Sequence, residues 1–467
     1  MKKKFTRRDF LKVASIGTAS ALAMACGLVT PTGEEEEAVV TNKTSTKTEV
    51  LVLGAGISGL AAARTLMGDD WDVIVLEARD RVGGRIWTDT TLGVPLDMGA
   101  SWIHGESGNP ITELAKQFGV KTTPTDDENA IVFKADGSEM SDVEWAKLET
   151  LFEEVYAEVE AMQEDTDDDM PLQTAFDTAL AEFDLSADQL RQLNYYAYLA
   201  TALEYGADPK DLSLWEWDQD EEFGGNEVIF PGGYNQITNG LAQGLDIRLG
   251  IEVKAIRYGN DGVEVETSAG VFMAEKAVVT FPLGVLKQGV IKFEPPLPSS
   301  KRDAISRLGM GLLSKVYLKF PEAFWDEDVE TISYIGDRLG EWCDWLSFAP
   351  FTGEPILMAF HGGDKGVALE KLSDAEISAE AMKALRAMFG DDIPEPVGML
   401  VSRWSRDPYS FGAYSYIPPF ASGEDHEALF EPVDGVLYFA GEATSRQYPS
   451  TVHGAYLSGV AAAEEII

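Results

Sequence analysis

The spacing of apolar residues changes character several times along the chain. Glu49 to Leu53 reads as a short strand, apolar through Val50–Leu53 without alternation, the pattern of a strand covered on both faces. A glycine-rich turn follows, then an alanine-rich segment, Leu60 to Met67, that predicts a helix, and a second strand over Asp72 to Leu76. Between Met140 and Ala200 acidic and apolar residues recur at helical spacing, which predicts amphipathic helices. Strand-like runs return at Ile251 to Tyr258, Val263 to Thr267, Lys315 to Phe320 and Pro355 to His361. A helix is expected after Tyr234 and another near Thr451. The acidic loop Asp165 to Asp169 reads as a solvated turn rather than a metal site. Strand, helix and strand in succession predict an α/β class, and 467 residues exceed what one core usually holds, so two lobes are expected.

Composition narrows the function. There are 37 Lys and Arg against 79 Asp and Glu, a net charge of −42, which excludes a nucleic-acid binder because phosphate contacts need a basic face. The acidity would suit a cationic substrate, and it also suits mere solubility. Cys26 and Cys343 are the only cysteines and the four histidines are scattered, so neither a disulfide framework nor a spaced metal-ligand set is expected. At the N-terminus, Lys2 to Lys4, Arg7, Arg8 and Lys12 precede a modest apolar run from Val13 to Ala25, too short to span a bilayer. Thr6-Arg7-Arg8-Asp9-Phe10-Leu11-Lys12 resembles a twin-arginine (Tat) export signal, which implies an extracytoplasmic or periplasmic protein that folds before export. Ala23-Met24-Ala25 is an A-x-A cleavage pattern, and Cys26 after it resembles a lipoprotein box, with Ala23 where a leucine is usual. A lipid anchor on Cys26 is therefore one expectation, the only membrane contact foreseen, and a secreted soluble protein is the other. Residues 27–47, acidic and rich in Thr, read as a tether.

The chemistry begins past the tether. Gly54-Ala55-Gly56-Ile57-Ser58-Gly59 follows the first strand directly, and Glu77 ends the second strand 23 residues after Gly54. Strand, G-x-G-x-x-G, helix, strand and acid together form the dinucleotide-binding fingerprint in its required context. Gly54 permits the tight turn, Gly56 lets the backbone approach a pyrophosphate, Gly59 allows close helix–strand packing, and Glu77 accepts bonds from ribose hydroxyls. FAD and NAD share this fingerprint. Arg79-Asp80-Arg81-Val82-Gly83-Gly84-Arg85 then adds a double glycine between arginines, where backbone could close over the pyrophosphate and Arg85 supply a fixed cation.

From here the residues resemble the flavin amine oxidase family, in which E-A-x-x-R-x-G-G-R marks FAD. Gly99-Ala100-Ser101-Trp102-Ile103-His104-Gly105 is similar to the loop beside the flavin in spermine and acetylpolyamine oxidases. Phe281 to Lys287 matches the family's P-L-G-V-L-K turn, and Phe439 to Thr444 and Tyr448 to Ala455 match its C-terminal motifs. The resemblance runs from Glu49 to the end. It implies a Rossmann-like FAD-binding domain (48–125, 225–310, 400–467) interleaved with a substrate domain of mixed sheet plus helices (126–224, 311–399). It further implies FAD contacts from Gly54, Gly56, Ile57, Ser58 and Gly59, from Glu77, Ala78 and Arg79, and from Gly84 and Arg85. The remaining contacts it implies are Gly99, Ala100, Ser101, Trp102, the Val253 backbone, Trp404, Gly441, Glu442, Thr451 and Val452. Ala413 stands where monoamine oxidases attach the flavin through cysteine, so the resemblance implies non-covalent FAD.

The implied reaction is oxidation of a small-molecule amine. The carbon beside a neutral amine gives hydride to flavin N5, the imine is hydrolysed, and O2 is reduced to hydrogen peroxide. Catalytic roles would fall to Lys315, Tyr414 and Thr451. A lysine in an apolar strand is costly to bury unless it is used, although it could instead snorkel at an edge. The resemblance places Lys315 at the lysine that holds a water near N5; spacing alone does not separate it from Lys319 on the same strand face. Tyr414 would form an aromatic wall before the flavin, with core packing as the alternative; Tyr416 is a weaker candidate. Thr451 would open a helix aimed at the flavin, or simply cap it. His104 and Glu204 fall on positions that line the amine tunnel, where a carboxylate could pair with a distal ammonium; Glu204 could equally be a helix-surface acid. Trp215, Trp217 and Trp404 could be walls or core. A polyamine or other amine is the expected substrate. The alternative is an L-amino acid oxidase or another flavin oxidase or desaturase on this scaffold, and Arg403 could then bind a carboxylate.

Overall fold

The computed structural model describes residues 46–467. The twin-arginine segment, the cleavage pattern, Cys26 and nearly all of the tether lie outside these residues. Lys47, the last residue read as tether, bridges Met273.

Five parallel strands form the first sheet, in the order Leu437–Phe439, Lys276–Val279, Val50–Leu53, Val73–Leu76, Asp246–Arg248. The central strand is fully buried, and its alternate residues serve two cores. Val50 and Val52 pack towards the helices Ile57–Gly68 and Val452–Glu464. Leu51 and Leu53 pack towards the antiparallel strands Val253–Gly259, Gly262–Thr267 and Gly270–Ala274. Two covered faces explain the unbroken apolar run. The sheet joins three stretches of sequence far from one another, 50–76, 246–279 and 437–439.

A second, six-stranded sheet runs Gly398–Val401, Leu313–Lys319, Ile356–Gly362, Asp344–Ser347, Thr331–Ile335, Ala130–Lys134. Period-2 alternation assigns its faces. Val316 and Leu318 meet the helix Asp374–Phe389 through Ile377, Ala381 and Leu385. Tyr317, on the opposite face, meets Leu96 and Met98, so the Lys315 side of this strand faces the short strand Leu96–Asp97 and the loop after it. Helices Asp142–Asp165, Leu172–Leu180 and Ala187–Tyr198 form a separate bundle, and capping boxes at Ser141 and Ser186 start two of them.

Two expectations change. The Phe281–Lys287 turn contains a short helix, Leu283–Gln288, entered from Pro282 and ended by Gly289 at φ 62°. Asp169 is not solvated: its buried carboxylate accepts from the Ser213 hydroxyl and from the N–H groups of Met170, Trp215 and Phe420. It holds the end of the acidic loop against two distant segments.

Candidate active site: one cavity between the sheets

A cavity of about 700 Å³ is lined by residues of both sheets and of the segment 203–223 that follows the helical bundle. Every residue expected to contact FAD or the amine, or to act in catalysis, borders it except Gly59, as do Tyr416, Trp215 and Trp217. Arg403 and Lys319 do not.

At one end the glycine turn behaves as its spacing requires. A Cβ on Gly59 would sit 2.0 Å from the Gly54 carbonyl oxygen, so this position packs helix against strand. Gly56 differs, because a Cβ there meets no atom within 4 Å. Gly441, at φ 143°, likewise opens onto empty space. The protein itself has no need of a bare backbone at Gly56; a group lying against it would. Glu77 is buried and anchored from below, accepting from the Ala55 N–H at 2.8 Å and the Arg79 N–H at 2.9 Å, which leaves lone pairs for a ribose. Gly83 donates to the Ala55 carbonyl at 2.8 Å and joins the double glycine to the turn. Val253 lies at a β-bulge beside it. These residues fit the dinucleotide half of FAD.

The arginines are less available than expected. The Arg79 guanidinium makes a two-pronged pair with Asp407, at 2.7 and 2.8 Å, and lies over Tyr409. Arg85 donates to Glu442 and to the Ala413 carbonyl, both at 2.8 Å. The second Glu442 oxygen accepts from the N–H and hydroxyl of Ser415 and from the Ser450 N–H. Burial alone would raise the Glu442 carboxyl, but Arg85 and these donors hold it below its usual value. Arg85 and Glu442 thus neutralise each other and fix the wall instead of acting as a free cation and a free acceptor. Thr451 is the N-cap of helix Val452–Glu464: its hydroxyl accepts from the Gly454 N–H and donates to the Tyr448 carbonyl, both at 2.9 Å.

Lys315 is 3% exposed. Its Nζ donates to the carbonyls of Asp97 (3.1 Å) and Gly99 (2.6 Å) and to the Ser101 hydroxyl (2.5 Å), with Trp102 and Phe360 alongside. Three acceptors match the three ammonium protons, so a water could join only by replacing one of them or, with the amine neutral, by donating to it. Burial pushes Lys315 down to about 8, against the opposing pull of Asp97; burial likewise pushes Asp97 up to about 6. Lys319 instead reaches the Leu92 carbonyl and Glu354, away from the cavity. The structure separates the two lysines that spacing left together.

Tyr414 stands at the cavity wall with its hydroxyl donating to the Glu204 carbonyl at 2.8 Å. His104 Nδ1 lies 2.7 Å from Glu227. Sequence reasoning passed over Asp220, Glu221 and Glu222, which also line the cavity, although Asp218 to Glu222 holds four acids in five positions.

The family model of the flavin containing amine oxidoreductases matches residues 57–467. The chain belongs to this family. Polyamine oxidase 4 of rice is 38% identical over 453 residues, covering 94% of this chain and 91% of that protein. The lysine-specific histone demethylase 1 homolog 1 of Arabidopsis thaliana is 39% identical over 439 residues, covering 90% of this chain and 52% of that protein. The chain therefore spans about half the length of the demethylase homologues it matches. A solved structure of wild-type putrescine oxidase bound to putrescine superposes with a TM-score of 0.74 at 22% identity, covering 90% of this chain and 99% of that one, and shows the shared fold. The family is flavin-containing, and the glycine-lined end of the cavity fits the dinucleotide half of FAD.

The two glycines give opposite expectations. Gly56→Val should fold but purify without FAD, because the protein has room for the side chain and the cofactor does not. Gly59→Val should fail to fold. Absorbance at 450 nm against protein, with a thermal melt of each variant, checks both; Gly56→Val with full flavin content would contradict the placement.

Proposed function

We propose that the chain is an FAD-dependent amine oxidase acting on a polyamine or another amine with a second positive charge. The observation that carries this reading is the charge beyond the dinucleotide end. Glu204, Glu216, Asp220, Glu221, Glu222 and Glu227 line the cavity there, with Asp127, Glu330 and Asp344 elsewhere on its wall. Of the cationic residues at the cavity, Arg79, Arg85 and Arg446 are already paired with Asp407, Glu442 and Glu427. Such a wall attracts a polycation and repels a carboxylate. The amino acid oxidase reading loses its arginine, since Arg403 donates to the carbonyls of Glu370 and Leu372 and to Asp374, outside the cavity.

Bound FAD would take two electrons and a proton from the C–H next to nitrogen and pass the electrons to O2, giving peroxide; the substrate imine is then hydrolysed to aldehyde and amine. The protein's part is to bind, orient and manage protons. The acidic wall would hold a distal ammonium while the reacting amine, nearer the apolar Trp102, Phe360 and Tyr414, enters neutral. The N-terminus of helix Val452–Glu464 lies at the cavity, where its dipole would favour negative charge on a bound flavin. Lys315, its pKa lowered by burial, gives up a proton more readily than an ordinary lysine and is placed to hold or release one at the cavity.

Lys315→Met keeps the apolar stem and removes the donors. FAD should still bind, while flavin reduction or reoxidation slows by about 10²-fold or more, as for other positioned catalytic groups. Stopped-flow measurement of both half-reactions decides, and wild-type rates in both would remove Lys315 from the chemistry.

Burial, reinforced by the charges of Glu204, Glu222 and Asp218, pushes Asp220 up to about 7. The carboxylate is charged only above that value, so attraction for a dication should weaken as pH falls through 7. A bis-quaternary diammonium inhibitor does not titrate and isolates the effect. Its inhibition constant should rise about tenfold from pH 8 to pH 6, roughly one pKa unit of interaction, and stay flat in Asp220→Asn. A flat wild-type profile would contradict the assignment.

A further inference from the structure

The helix Ala187–Tyr198 does not end cleanly. It continues as a buried π-helical turn, Leu199–Leu203, and Glu204 closes it. Carbonyls at a helix C-terminus lack intrahelical partners and must find them elsewhere. Here the partner comes from a distant segment: the Tyr414 hydroxyl donates to the Glu204 carbonyl at 2.8 Å and approaches that of Leu203 at 3.5 Å. The contact is part of a three-way junction. Leu312 donates its N–H to the Gly206 carbonyl at 2.8 Å, Gly311 donates to the Tyr414 carbonyl at 2.7 Å, and Ala413 donates to the Gly311 carbonyl at 2.8 Å. Gly206, at φ 65°, leaves so little space that a Cβ there would lie 3.2 Å from the Tyr414 ring. The strand carrying Lys315, the loop carrying Glu204 and the loop carrying Tyr414 are therefore joined at one point. Tyr414 and Glu204 both line the cavity. Burial holds the phenol well above its ordinary pKa, so the hydroxyl remains a donor at any working pH.

We propose that the Tyr414 hydroxyl is a substrate-positioning group: by holding the Glu204 carbonyl it fixes the carboxylate that meets the distal charge, and so sets the preference for a dication over a monocation. The ring and the hydroxyl then have separate tasks, one at the aromatic wall and one at the acidic wall. The inference rests on the polyamine reading of the cavity. A π-turn is where such a device is useful, because its backbone is held by fewer regular bonds than an α-helix and its end can shift.

The test uses the holoenzyme and three variants, Tyr414→Phe, Glu204→Gln and the double variant. In each, anaerobic flavin reduction is titrated with a diamine and with a monoamine of equal chain length, and the ratio of their dissociation constants is read. Tyr414→Phe keeps the ring, and the flavin spectrum reports that the site is intact. Tyr414→Phe should lower the preference for the diamine about three- to tenfold, the effect of one lost hydrogen bond. Glu204→Gln should lower it at least as much, and the double variant no further than the larger single change. A ratio lowered by Glu204→Gln but untouched by Tyr414→Phe would overturn the hydroxyl's role and leave the polyamine reading standing. Additive effects in the double variant would overturn the coupling. A ratio untouched by Glu204→Gln would overturn the acidic-wall reading on which the proposal rests.

Discussion

A lysine ammonium buried with no carboxylate in contact is the constraint around which this cavity is organised. Moving such a charge out of water is costly unless hydrogen bonds replace the solvent, and here the loop 97–101 provides them through two carbonyls and a hydroxyl. Because Lys315 belongs to the six-stranded sheet and the loop follows the two-stranded ribbon Thr88–Asp89/Leu96–Asp97, satisfying this group also ties that sheet to the ribbon. The same loop is held again by the Tyr317 hydroxyl on the Asp97 carbonyl at 2.7 Å and by the Trp404 indole N–H on the Met98 carbonyl at 2.9 Å. Loss of the ammonium would leave the Asp97 carbonyl its Tyr317 donor but take from the Gly99 carbonyl its bond to Lys315, at the place where Gly99 to Trp102 border the cavity.

Charge is distributed along the cavity with a consistent logic. Where the glycine turn fits a dinucleotide, the arginines at the wall are balanced by Asp407 and Glu442, so rigidity there comes from ion pairs with little net charge. Towards Glu204 and Asp220 several acids line the cavity together, and burial, with their mutual repulsion added, raises the pKa of Asp220. Bringing a polycation into that region relieves the repulsion; bringing an anion would add to it. The overall charge of −42 says little by itself, since acidity is also a solubility device. What bears on function is that carboxylates line the inside of the cavity.

Much of the dinucleotide end was legible in the sequence because its determinants are local. Gly54, Gly59 and Glu77 lie within one strand–helix–strand unit, and their spacing implies their roles. The strand of Lys315 was legible too, yet its parity could not choose between Lys315 and Lys319; only the partner loops at Asp97 and Leu92 distinguish them. Arg85 and Glu442 are 357 residues apart, so their mutual neutralisation has no sequence signal, and each was expected to serve the cofactor separately. Asp169 looked solvated because acidic loops usually are, and its partners come from remote segments. The run Asp218 to Glu222 carried a signal that went unused, as acids in a strongly acidic chain attract little notice until a cavity shows which of them face inward.

The central claim is that one cavity holds FAD at its glycine-lined end and a polycationic amine against its acidic wall. Anaerobic mixing of the purified flavoprotein with spermidine, a monoamine and an L-amino acid tests this most directly, with peroxide followed once O2 is admitted. The account predicts that spermidine bleaches the flavin at the lowest concentration, that the monoamine needs far more, and that the amino acid leaves it oxidised. Bleaching by the amino acid with none by spermidine would contradict it.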